Sequence, residues 1–107
     1  MKISIVLVVA AMLSGVHAQK QQPAQDFVTV LQNAFDNQYS DFQIGGEGIV
    51  TRLLSDDLIG VKHQRFILRI SPQQTVLVTH NIDIATRVPD LQVDRIVEFY
   101  GEYDWNV

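Results

Sequence analysis

Two short polar strings carry side chains suited to gripping an anion: His63-Gln64-Arg65 and His80-Asn81-Ile82-Asp83. A guanidinium can fork onto a phosphate or carboxylate through two parallel hydrogen bonds. An amide and an imidazole beside it fix orientation, so the set suits a small anionic or sugar-like ligand. Arg69 and Arg87 would extend the same basic edge. The strings become neighbours only if the residues between them fold back as a hairpin. If Ile70 pairs with Thr75, position 65 faces position 80, and His63, Arg65 and His80 share a face. If Ile70 pairs with Val76, His63 faces Asp83 and Arg65 faces Asn81. The competing reading is a polar hairpin end whose side chains satisfy backbone groups and one another.

Other candidates are weaker. Asp56-Asp57, flanked by Ser55 and Gly60, could offer oxygens to calcium, but the spacing fits no cation loop and turn capping explains it more simply. No metal site is expected, because two histidines fall short of a zinc ligand set. Tyr100, Tyr103 and Trp105 could form a stacking platform. Alternation instead places Val97, Phe99, Tyr103 and Trp105 on one core-facing side, and leaves Tyr100 opposite as the contact residue. No Gly-x-Ser-x-Gly, His-Glu-x-x-His or phosphate-cradling loop is present, and nothing calls for a cofactor. The residues favour a non-catalytic binding module. The alternatives are an interaction protein using an open sheet edge, and a nuclease-like phosphodiester hydrolase with Arg65 or Arg87 neutralising charge and His63 or His80 as base.

The elements that would position these residues follow from periodicity. Pro23 and Asp26 suit a helix start, and Phe27, Leu31, Phe35 and Tyr39, with Val30 and Ala34, predict a helix over about 26–39. After Ile44 the period changes to two, punctuated by Gly45, Gly46 and Gly48. Strands are expected at 49–54, 66–70, 75–82 and 96–103, with a turn at 55–60, a hairpin closed by Pro72-Gln73-Gln74, and an irregular connection over 83–90. Gly101 is a candidate bulge. No helices fall between the strands to carry parallel crossovers. The expected fold is therefore mainly β (α+β), a small OB-like antiparallel barrel or curled sheet capped by one N-terminal helix.

The front of the chain reads as an export signal. Lys2 gives the positive start, Ile3–Leu13 an uncharged apolar run, and Val16-His17-Ala18 a small-residue cleavage triplet. The run is too short for a spanning helix, which needs about 20 apolar residues. The expected organisation is a signal over 1–18, a Gln-rich flexible leader over 19–25 and a single domain over 26–107, located in the periplasm or secreted. About 90 residues would remain, enough to hide only around two-thirds of the unfolded surface. The chain has no cysteine, which excludes disulfides, thiol catalysis and Cys-bearing zinc sites and leaves the core, a ligand or a partner to supply stability. Its net charge of −4 argues against non-specific duplex binding.

Several strings are specific enough to suggest kinship: His63-Gln64-Arg65-Phe66-Ile67-Leu68, His80-Asn81-Ile82-Asp83-Ile84-Ala85, and Glu98-Phe99-Tyr100-Gly101-Glu102-Tyr103-Asp104-Trp105-Asn106. With Gly46-Glu47-Gly48-Ile49-Val50 and Leu54-Ser55-Asp56-Asp57, they resemble a family of short exported bacterial proteins known as domain of unknown function 3465, over roughly 44–106. The resemblance implies no activity. Such proteins usually have Gly-Asp where Val93-Asp94 stands, often have Pro at the place of Thr86, and continue past Trp-Asn into a His-rich motif. This chain stops at Val107, so the resemblance implies a C-terminally shortened member with a shortened or swapped barrel, and possible self-association through a sheet edge.

Overall fold

The inward side of each strand is set by alternation. In the segment His63–Ser71, Gln64, Phe66 and Leu68 are buried while Arg69 is exposed; in Ile96–Asp104, Val97, Phe99, Gly101 and Tyr103 are buried and Tyr100 is exposed. The computed structural model describes residues 2–9 and 25–105. In chain order these form β1 (Lys2–Val9), α1 (Gln25–Asn37), β2 (Phe42–Asp57), β3 (His63–Ser71), β4 (Gln74–Asn81) and β5 (Ile96–Asp104).

Strands β2 to β5 make a curled antiparallel sheet in which β2 pairs with both β3 and β5. Strand β1 closes it in the order β1-β4-β3-β2-β5, parallel to β4 and antiparallel to β5. The fold is mainly β, a curled sheet closed into a small barrel, with one N-terminal helix. The parallel β1–β4 pair was not expected, and neither was a strand at residues 2–9. Residues 10–24, which hold the expected cleavage triplet, lie outside the described residues.

The core gathers Val50, Phe66, Leu68, Val76, Val78, Val97, Phe99 and Tyr103 from the strands, with Leu31 and Ala34 from α1. The helix therefore presents Phe27, Leu31 and Ala34, while Val30, Phe35 and Tyr39, expected on the same stripe, are exposed. Its seat is made by Gly46: a Cβ there would lie 2.4 Å from Phe27 Cδ2, so only glycine leaves room for the ring. Phe27 then meets Phe99 edge-on, with centroids 6.3 Å apart. The helix ends at Gln38, whose φ of 60° is left-handed, and Tyr39 N donates to Ala34 O at 3.0 Å. Trp105 secures that end by donating Nε1–H to Phe35 O (3.0 Å) and its backbone N–H to Ser40 Oγ (2.8 Å).

Three local readings are corrected. Strand β2 starts at Phe42 and runs through the glycines, and Ser55, Asp56 and Asp57 belong to its end rather than to a turn. Gly101 pairs regularly with Ile44; the irregularity at that level lies on β1, between Ser4 and Leu7. The β3–β4 register matches neither alternative considered. A bulge between Arg69 and Ser71 leaves Ile70 unpaired, so that Gln64 faces His80, His63 faces Asn81 and Arg65 faces Thr79.

Candidate functional site

The register splits the polar strings between the two faces of the hairpin. Outside stand His63, Arg65, Ile67 and Arg69 on β3, beside Asn81, Thr79, Leu77 and Thr75 on β4. Inside stand Gln64 and His80, both buried. The arrangement of His63, Arg65 and His80 on one face is therefore not formed, and the two imidazoles cannot act on one ligand.

Gln64 and His80 hold the connection after β4 onto the barrel. Gln64 Oε1 accepts from Val88 N at 2.8 Å and its Nε2 donates to Val88 O at 3.3 Å, so one amide satisfies both backbone groups of a buried residue. His80 Nε2 lies 2.8 Å from Thr86 O. A carbonyl can only accept, so Nε2 carries a proton, and in the neutral ring Nδ1 is then an acceptor. That Nδ1 is buried without a partner among the described residues.

Asn81 and Asp83 also serve the backbone. Asn81 Oδ1 accepts from Asp83 N (2.9 Å), and Asp83 Oδ2 accepts from Lys62 N (3.0 Å), tying the β4 exit to the β2–β3 loop. Asp57 Oδ1 caps Ile59 N at 3.1 Å in that loop. Among the described residues no three His, Asp or Glu side chains converge to hold a metal ion.

The cationic groups gather at the end of β2. Arg87 forks onto Asp56 with distances of 2.8 and 3.1 Å. This hydrogen-bonded pairing, helped by the charges of Arg87 and Arg65, holds the Asp56 carboxyl below its ordinary value of 3.8, and the same bond raises Arg87. Arg65 donates Nε–H to Ser55 O at 2.9 Å. Arg65, Arg87, Asp56 and Gln64, with Leu53, Leu54, Val88 and Leu91, line a pocket of 240 Å³. Tyr100 lies elsewhere, on the outer side of β5, with its Cδ1 3.2 Å from where a Cβ on Gly45 would stand. Its strand neighbours Glu98 and Glu102 make that side acidic.

One residue that the sequence did not single out joins the outer face. A bulge between Val50 and Arg52 reverses the parity of β2, so Arg52 pairs with outward Ile67 although Val50 two residues earlier is buried. Arg65, Arg52 and Arg69 thus form a staggered row, with Arg52 opposite the point midway between the other two. At about 3.3 Å per residue the row extends roughly 13 Å along β3. Simple alternation points Arg52 inward, and only the bulge turns it out.

Fold and surface together define a small helix-capped β-barrel with an arginine row on the outer face of β2 and β3. The chain belongs to the family described as protein of unknown function (DUF3465), whose model matches residues 9–107. No curated protein and no solved structure matches the chain.

Proposed function

We propose that this protein is an exported, non-catalytic module that binds an anionic ligand across the outer face of β2, β3 and β4. The observation that carries the reading is the row of Arg52, Arg65 and Arg69, three guanidiniums on adjacent strands of a chain whose net charge is −4. Arg65 spends Nε on Ser55 O and has no other hydrogen-bond partner among the described residues, which leaves its terminal nitrogens for a ligand. Arg87 is already forked onto Asp56 and serves the pocket wall. Export rests on the charged start, the apolar run and the Val16-His17-Ala18 triplet.

Titration calorimetry with sodium tripolyphosphate tests the site. Charge-assisted hydrogen bonds contribute about 1.5–3 kcal/mol each, so Arg65→Ala is expected to weaken binding by about tenfold or more. Arg69→Ala should weaken it too, Arg87→Ala should not, and added salt should weaken all of it. No binding by the native chain, or an equal loss from Arg87→Ala, overturns the proposal.

A second reading, a protein-interaction module, is favoured by one observation. Leu58, Ile59 and Val61 in the β2–β3 loop and Ile84 after β4 are exposed, and Ile82 N donating to Lys62 O ties the two segments together. A strict monomer in light scattering would count against self-association through them.

A further inference from the structure

Strand β1 differs from the other four in its standing. The family match begins at Val9, so the rest of β1 lies outside it. Its sequence is also the start of the run read as a cleavable leader. Yet it completes the barrel. Lys2 to Ile5 pair in parallel with Leu77 to His80 of β4, and Lys2 to Val9 run antiparallel to Asp104 to Glu98 of β5. Removing it would expose two long strand edges, which are templates for another chain.

Two buried polar atoms without a partner among the described residues belong to residues on the strands that flank this slot. Tyr103 Oη belongs to the residue paired with Ile3, and His80 Nδ1 to the residue paired with Ile5. Orphaned buried polar groups are costly. Both residues pair with the one strand of which all but Val9 lies outside the family match.

We propose that the slot between β4 and β5 is a strand-acceptor site: Lys2–Val9 fills it in the precursor, and an extended segment of another polypeptide fills it after the leader is removed. Main-chain pairing supplies the affinity and alternate side chains the selectivity. The favoured segment is apolar at the levels of Ile3 and Val8, which pair with the buried residues Tyr103 and Phe99. At the level of Ile5 it carries a hydrogen-bond donor, because Nδ1 of a neutral His80 that donates from Nε2 is an acceptor. The proposal rests on the export reading and not on the arginine row.

The test starts from protein expressed with its full sequence and recovered from the periplasm or medium, where intact mass shows whether the leader is gone. Fluorescence anisotropy then follows a labelled Lys2–Val9 peptide. Processed protein is expected to bind it one to one with a Kd of about 10 µM or tighter, and full-length protein at least about tenfold more weakly, its slot being filled. The Ile5→Thr peptide should bind no more weakly than the native one, and the Ser4→Pro/Leu7→Pro peptide should not bind, because proline removes ladder donors. A processed chain that is folded by circular dichroism and takes neither peptide overturns the proposal, as does equal binding of the proline peptide. If the leader is retained, the export reading fails, and the slot is tested in the full-length Ser4→Pro/Leu7→Pro variant, which must capture the native peptide. If a chain without its strand is unfolded, the peptide must restore its structure, and failure to do so also overturns the proposal.

Discussion

Gln64 shows how much one side chain can hold in place. Gln64→Leu keeps the volume but leaves the N–H and C=O of buried Val88 unpaired, an expected loss of roughly 2–4 kcal/mol. Urea midpoints measure it, and a loss below about 0.5 kcal/mol would show that the clamp matters little. Tyr103 is the opposite case, a buried hydroxyl without a partner among the described residues. Tyr103→Phe is expected to leave stability unchanged or raise it by about 1 kcal/mol. Burial also raises the Tyr103 phenol above 10.0. The unfolded chain therefore ionises first as pH climbs past that value; stability is full below it and falls above it. Urea midpoints at about pH 8 and about pH 10.5 should diverge less in Tyr103→Phe than in the native chain. At this scale the sequence identified His63, Arg65 and Arg87 as polar candidates, but it could not separate a buried clamp such as His80 from an exposed ligand group, because both are polar residues beside strands.

Among the elements, the seat of α1 is the most exacting. Gly46→Ala drives a methyl group into the Phe27 ring, at an expected cost of about 1–3 kcal/mol. In a double-mutant cycle with Phe27→Ala the two losses should fall well short of additive, since the second change removes what the first collides with. Additive losses would mean the clash is relieved elsewhere. The helix itself was legible from its spacing, but its buried stripe was displaced: Phe35 and Tyr39 share the four-residue period with Phe27 and Leu31, and only the contact with Gly46 and Phe99 decides which of them turn inward. The β3–β4 hairpin was legible too. Its register was not, since Ile67 and Leu77 make the outer face apolar in mid-strand and alternation alone could not choose between pairings. The bulge at Ile70 made the choice, and with it placed His63 and His80 on opposite faces.

Across the whole molecule, charge is divided rather than mixed. Arg52, Arg65 and Arg69 mark the outer side of β2 and β3, while Glu47, Glu98 and Glu102 mark the outer side where β2 meets β5. Glu47 and Glu98 even sit directly across from each other, an unfavourable like-charge pair. A net charge of −4 conceals this division, which is why composition argued only against duplex nucleic acid and said nothing about a local basic face. The mainly β class, the helix and the positions of four strands along the chain could be read from periodicity. The fifth strand could not, because an uncharged, mostly apolar run reads equally as a leader or as a strand buried in a barrel.

The placement of β1 also sets a clock. Residues 2–9 are the first to be synthesised, but their partner β4 is complete only at Asn81 and β5 only at Asp104. At about 5–20 residues per second, roughly 4–15 s separate the emergence of this segment from that of β4. During that interval the segment has neither of its strand partners, and only a chain made as far as Asp104 can close the barrel around it.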